Sequence, residues 1–287
     1  MTATPTLKLA LPKGRMAEGV LKLMEEAGVK VLANGRNYRP LCRDPRFELK
    51  ILKPQDIVRM VELGRHDLAF AGHDWVVELG ASVEELLDTE LDSVRIVAAA
   101  PAEFVASGEL KARPIVVASE YERIATKWLA REGYNAVFVR SHGATEVFPP
   151  EDADMIVDNT ATGRTLVENG LAEIATLMRS STRLIANPSL MKGPQCEVVE
   201  EFLLLIRSVL DARKRVMLEM NVTAAALEGV LRALPCMRRP TVMPLSGDGG
   251  FAVKSAVLRA DVPRIIPQLK AAGATDILEY PFSKVVL

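Results

Sequence analysis

The sequence predicts an α/β protein built from two α/β lobes followed by a smaller β-α-β-β-α-β domain. Three observations carry that expectation. Short apolar runs alternate with amphipathic helical stretches through the first two thirds of the chain, and glycines stand where those helices should stop. Near Asp211 the order changes to strand, helix, two strands around a turn, helix and strand. The length, 287 residues, exceeds what one compact core usually accommodates.

Leu7 to Leu11 reads as the first strand. Met16, Val20, Leu23 and Met24 recur at helical spacing, so a helix is expected from Met16 to Ala27, with Gly28 as its C-terminal cap. Phe47 to Leu52 and then Pro54 to Leu63, closed by Gly64, repeat the strand–helix order. Asp67 to Ala71 followed by "GHDWVVELG" gives it again. This alternation predicts a mostly parallel sheet covered by helices. A second series runs through "RIVAAA" near Arg95, "PIVVAS", a helix from Tyr121 to Arg131, "AVFVR" and "MIVD". "TRLIANP" follows a complete set of second-lobe units and reads as a strand that returns to the first lobe. The expected boundaries are residues 1–93 and 182–208 for lobe one, 94–181 for lobe two and 209–287 for the third domain.

In that third domain "KRVMLEMNV" is a strand, Thr223 caps a helix to Leu234, and "PTVMPL" and "GFAVKSAV" flank the turn "SGDGG". Asp261 caps a helix to Ala272, and "DILEYPF" closes a ferredoxin-like unit. It holds no cluster of acids, bases or nucleophiles, which suits regulation or packing better than chemistry.

Composition removes several function classes. The net charge of −1 provides no basic field to attract nucleic acid without sequence preference. No run of residues approaches the apolar length needed to span a bilayer. The opening "MTATPTLKLALPKGR" lacks a basic leader and a cleavage site, so a cytoplasmic protein is expected. Cys42, Cys196 and Cys236 are odd in number and far apart, and His66, His73 and His142 lack ligand spacing, so neither a disulfide framework nor a transition metal is expected.

The stretch "MIVDNTATGRTLVENG" places an aspartate at the end of an apolar run, then small hydroxyl residues and glycine, then what reads as a helix from Leu166. A strand feeding such a loop into a helix start gathers free N–H groups, hydroxyls and a positive helix end, which makes an anion cradle. Asp158 could accept hydrogen bonds from two hydroxyls of a sugar. Asp154 lies four residues earlier, on the same strand face. Thr160, Thr162 and Thr165 offer hydroxyls, Gly163 permits close approach, and the N–H groups from Ala161 through Arg164 to Thr165 can wrap a phosphate. The competing reading of this loop is an ordinary capped turn with Asp158 as turn former.

"ALPKGR" also sits between strand and helix, with Lys13 and Arg15 on either side of Gly14. Taken singly these cations, like Arg36 and Lys53, could be solvated surface charge. Asp74 stands at an expected helix N-terminus and could be only a cap. Glu146 in "GATEVFPP" could bind a substrate hydroxyl or simply be solvated. At the level of architecture, two lobes around a cleft would also serve a non-catalytic small-molecule binding protein with a sensing domain. "VDNTATGRTL" discriminates, because such a binder needs no ribose-facing carboxylate beside a phosphate cradle.

Together, "LALPKGRM", "DLAFAGHDWVVE", "GATEVFP", "DMIVDNTATGRTLVENGL", "SSTRLIANP" and "RPTVMPL" resemble the long form of the ATP phosphoribosyltransferase family, which opens histidine biosynthesis. The segments span nearly the whole chain in the family's order. The resemblance implies two lobes like those of type II periplasmic binding proteins, an ACT-like regulatory domain, Mg2+ dependence and a homo-oligomer between dimer and hexamer. It implies that N1 of ATP attacks phosphoribosyl pyrophosphate, giving N1-(5-phosphoribosyl)-ATP and pyrophosphate, with histidine as inhibitor. On this resemblance, Asp158 meets the ribose hydroxyls, with Asp154 behind it or beside the metal, and Ala161 to Thr165 hold the 5-phosphate. Lys13, Arg15 and Lys53 neutralise phosphates, with Gly14, Arg36, Asp74, Glu146 and Thr160 completing the substrate site. Thr241, Asn221 and Glu219 are the expected histidine contacts.

Overall fold

The structure is a computed structural model, and it describes residues 6–32, 37–235, 237, 239–247 and 249–287. The chain divides into two compact units, Met1–Lys22 with Val29–Val199, and Leu23–Gly28 with Glu200–Leu287.

The first unit holds β1 (Leu7–Pro12), α1 (Arg15–Ala27), whose last turns cluster with the other unit, β2 (Val31–Leu32), β3 (Leu41–Cys42), β4 (Phe47–Leu52), α2 (Pro54–Glu62), β5 (Leu68–Gly72), α3 (His73–Leu79) and β6 (Glu84–Asp88). It continues with β7 (Val94–Pro101), α4 (Ala102–Ser107), β8 (Ile115–Ser119), α5 (Glu122–Glu132), β9 (Ala136–Arg140), β10 (Met155–Thr160), α6 (Arg164–Glu168), β11 (Leu171–Ser180) and β12 (Thr182–Ala186). Two five-stranded sheets result, in the orders β4-β1-β5-β12-β6 and β11-β7-β10-β8-β9. Strand β12, arriving after the second sheet is complete, pairs antiparallel with β5 and β6 of the first.

Burial explains the composition of these strands. Every residue of β5 is buried, so "LAFAG" is continuously apolar or small, as a strand covered on both faces must be. In β10, Met155 to Val157 are fully buried, Asp158 is half-buried and Asn159 is exposed. The strand thus passes from core to cleft at the aspartate.

The second unit contains α7 (Cys196–Arg213), shared at its start with the first unit, then β13 (Arg215–Val222), α8 (Leu227–Ala233), β14 (Thr241–Pro244), β15 (Phe251–Leu258), α9 (Val262–Ala271) and β16 (Thr275–Pro281). Its sheet runs β14-β15-β13-β16. Val216, Leu218, Met220 and Val222 of β13 alternate inward onto Val230, Ile265 and Leu269 of the helices, the one-sided burial expected of an antiparallel sheet.

Several expectations require correction. Both sheets of the first unit are mixed, because β12 and β6 in one and β7 and β11 in the other run antiparallel to a neighbour. The helix expected from Leu166 starts at Arg164 and ends at Glu168, where Asn169 and the positive-φ Gly170 stop it. Helix α9 has no side-chain cap from Asp261. Thr223 does accept the Ala226 N–H at 3.3 Å, one turn before α8.

Candidate active site

Strand ends and helix starts of both lobes meet at a cavity of ≈ 210 Å³ lined by Lys13, Arg15, Gln55, Asp74, Trp75, Glu120, Tyr121, Asn159 and Ser180, among others. The turn "PKGR" between β1 and α1 puts both its cations here. Lys13 Nζ donates to the Tyr38 hydroxyl at 2.8 Å and lies 5.0 Å from that ring's centre. The ammonium's hydrogen bond and charge lower the Tyr38 pKa.

Asp74 is more than a helix-start residue. It is 6% exposed and lies in the first turn of α3, yet caps nothing there. One carboxylate oxygen accepts the Ser180 hydroxyl and the other the Tyr121 hydroxyl, each at 2.7 Å. The buried Tyr121 hydroxyl accepts from Asn159 Nδ2 at 3.3 Å, and its pKa is pushed upward by burial and by Asp74. A single hydrogen-bonded chain therefore joins lobe one at Asp74 to the end of β10 in lobe two.

Asp158 ends that chain. It accepts the Asn159 backbone N–H at 2.7 Å and Asn159 Nδ2 at 3.2 Å. Burial raises its pKa to about 6, and the nearby negative charges of Glu146 and Glu120 add to the effect, outweighing the Asn159 N–H. A carboxylate whose charge is this poorly compensated beside a cleft is a candidate for function.

Asp154, the residue just before this strand, is engaged elsewhere. Arg113 Nη2 and the Val116 N–H each donate to it at 2.7 Å. About 13 Å of strand spans four residues, and both of these hydrogen bonds tie Asp154 to neighbouring elements of its own lobe.

The loop after Asp158 is tightly folded. Gly163 takes φ +81°, a conformation that strains any residue with a Cβ, and its N–H is given to Thr160 Oγ1 at 2.9 Å. The Arg164 N–H points to Thr162 Oγ1 at 3.4 Å, and Arg164 pairs with Glu168 at 2.7 Å. Two of the N–H groups expected to wrap an anion are thus used within the loop, and α6, at five residues, carries little dipole. Ala161 borders a second cavity with Arg95, Arg179 and Arg183. Lys53, at the start of α2, borders a third with Glu120, Arg140 and His142. Arg36 and Cys236 lie outside the described residues.

The sequence reading missed Tyr121, Asn159, Ser180 and Glu120. Asn159 stood inside the quoted motif and Ser180 opened the quoted "SSTRLIANP"; Tyr121 and Glu120 lie far from both in the chain, and only folding brings them together. In the second unit, Thr241 and Glu219 both face Lys254 across the sheet, and Lys254 pairs with Glu219 at 2.9 Å. Asn221, two residues on from Glu219, donates to Asp276 at 3.1 Å.

The family model for ATP phosphoribosyltransferase matches residues 53–208, and the model for its C-terminal domain matches residues 212–284. A protein named ATP phosphoribosyltransferase from Chlorobium phaeovibrioides is 35% identical over 98% of this chain and 97% of its own. One of the same name from Pelotomaculum thermopropionicum is 36% identical over 98% and 99%. A solved chain of the ATP phosphoribosyl transferase (HisG:HisZ) complex from Thermotoga maritima superposes with a TM-score of 0.62 at 25% identity, covering 70% of this chain and 99% of that one. With both models matched end to end along one polypeptide, the chain belongs to the ATP phosphoribosyltransferase family, in its long form with the C-terminal domain attached.

Proposed function

We propose that the cleft transfers the 5-phosphoribosyl group of phosphoribosyl pyrophosphate to N1 of ATP, with Asp158 holding the ribose hydroxyls. The observation that carries this reading is the under-compensated Asp158 carboxylate at the end of β10, linked through Asn159 and Tyr121 to a cavity lined by Lys13 and Arg15. Loss of pyrophosphate leaves positive character on the ribose ring and negative charge on the departing group. Lys13, Arg15 and Lys53 stabilise the latter, while Asp158 orients the sugar and faces the developing cation. Ala161 to Thr165 take the 5-phosphate, which then competes with the loop's internal hydrogen bonds for the Gly163 and Arg164 N–H groups. The adenine ring nitrogen is unprotonated near neutral pH, so the attack needs no general base.

Mg2+ fits this donor set. Asp158, Glu146 and Glu120 offer hard oxygen donors, and a cation would relieve the effect of the two glutamate charges on Asp158. No three His, Cys, Asp or Glu converge into a ready cage among the described residues, so substrate phosphates supply most of the ligands in this reading. When bound, the ion neutralises pyrophosphate charge.

Histidine inhibition through Thr241, Asn221 and Glu219 is the proposed role of the second unit. The proposed assembly is a homo-oligomer of two to six copies. Exposed Val242 and Met243 on one outer strand of its sheet, and Leu278 and Tyr280 on the other, support that assembly. A cytoplasmic location suits the biosynthetic role. The test is product formation from ATP and phosphoribosyl pyrophosphate with Mg2+ and pyrophosphatase, with and without histidine. Turnover suppressed by histidine supports both halves of the proposal, and turnover indifferent to histidine removes the second. No turnover with any purine acceptor would overturn the first.

A further inference from the structure

Helices α3 and α5 belong to different lobes, and the contact between them has an unusual composition. Asp74 and Glu78 lie four residues apart on α3, hence on one face, and both are buried, Glu78 at 7% exposure. Asp74 takes the Tyr121 hydroxyl. Glu78 takes two backbone N–H groups at the start of α5, Oε1 from Arg123 and Oε2 from Ile124, each at 3.0 Å.

The first N–H groups of a helix have no partner within it and are commonly met by a side chain just before it. Tyr121 occupies that position and supplies no such bond. Glu78 therefore caps α5 from across the lobe boundary, with its negative charge at the favourable end of the helix. The two helices also approach closely. Gly80 ends α3, and a Cβ built there would stand 1.8 Å from Arg123 Nη1, so a side chain there would have to displace the guanidinium. Trp75 packs on the Tyr121 ring with centroids 5.0 Å apart.

We infer that Glu78 is a positioning residue for the transfer reaction: its grip on the start of α5 fixes Tyr121, and through Tyr121 and Asn159 sets where Asp158 stands relative to the cations of lobe one. A local cap on α5 would serve that helix's stability equally well. A cap supplied by the opposite lobe also makes the helix start answer to the angle between the lobes. Glu78 lines none of the three cleft cavities described above and touches no proposed substrate group, so its effect passes through Tyr121. The inference rests on the reading of this cleft as the substrate site.

The test is a double-mutant cycle of Glu78→Ala with Tyr121→Phe, using kcat and the KM values for both substrates, with Glu78→Gln as the conservative variant. A misplacement of about 1 Å at a reacting centre costs on the order of 100-fold in rate. Glu78→Ala is therefore expected to lower kcat about 10- to 100-fold with KM changed less than about threefold. Glu78→Gln, which keeps one acceptor, should recover part of that loss. The double variant should be no more than about threefold worse than the poorer single variant, since both changes break one linkage. Multiplicative losses in the cycle, or kcat within twofold of wild type in folded Glu78→Ala, would overturn the inference. If Glu78→Ala does not fold, the same cycle is run with Glu78→Gln, read by the same criteria. Asp158→Asn is assayed in parallel. Full activity there removes the cleft assignment, whereas coupling between Glu78 and Tyr121 is read from its own cycle.

Discussion

Asp154, the residue before β10, and Asp158, inside it, are the same residue type four positions apart with opposite electrostatics. At Asp154 burial pushes the carboxyl up, but Arg113 and the Val116 N–H outweigh it and hold the group below the usual value. At Asp158 burial also pushes up, only Asn159 opposes it, and Glu146 and Glu120 reinforce the rise to about 6. The difference lies in what faces each group: a guanidinium at one, other carboxylates and an open cleft at the other. A carboxylate satisfied by the protein holds the fold together, while one left under-compensated is held in readiness for a ligand.

The largest way to break this comparison is Asp158→Asn, which should lower kcat/KM for phosphoribosyl pyrophosphate about 10²- to 10³-fold, the scale of a lost charge-assisted contact in the transition state. Steady-state kinetics against that substrate check it. Retained efficiency would equate the two aspartates. Lys13→Met should cost less, about 10- to 100-fold in the same assay, because Arg15 and Lys53 share the phosphate charge. A loss confined to thermal stability would make Lys13 merely the partner of Tyr38.

Asp154→Asn sharpens the contrast from the other side. It should leave turnover per folded molecule within about threefold of wild type while lowering stability measurably, since Arg113 loses one of its two carboxylate partners, Glu109 remaining, at a partly exposed site. Urea denaturation alongside the kinetic assay separates the two effects. A hundredfold loss of turnover in this variant would place Asp154 back in the active site.

Much of the architecture was legible because burial writes itself into local composition. The continuous apolar run of β5 and the alternation in β13 announce two-sided and one-sided sheets, and Gly28, Gly64 and Gly80 mark helix ends. Strands β6 and β11 were not legible. "EELLD" carries too much charge to read as a strand, and in β11 ("LAEIATLMRS") register irregularities against β7 disturb the period-two pattern. At the site, the loop around Gly163 could be read locally because its chemistry is local. The partners of Asp74 could not, since Tyr121 lies 47 residues away and Ser180 lies 106. The partner of Asp154 could not be read for a related reason: strand periodicity gives the face a residue shares, but not the arginine that waits at position 113.

The central claim, that the two aspartates are held in opposite electrostatic states, is tested most directly by unfolding stability against pH for wild type, Asp158→Asn and Asp154→Asn without substrate. A folded pKa raised from 3.8 to about 6 means the native state binds extra protons between those values, so wild type loses stability as pH rises through that window. Asp158→Asn should match wild type near pH 4 and become more stable by on the order of 1–2 kcal/mol above pH 6, after allowance for solvent screening. Asp154, with its folded pKa lowered, contributes stability above the unfolded value that is lost as pH falls through the folded one. Asp154→Asn should therefore be less stable than wild type at pH 7, with the gap closing below about pH 4. Two difference curves of opposite sign are the predicted result; a pH-independent difference for Asp158→Asn between pH 4 and 6 would contradict it.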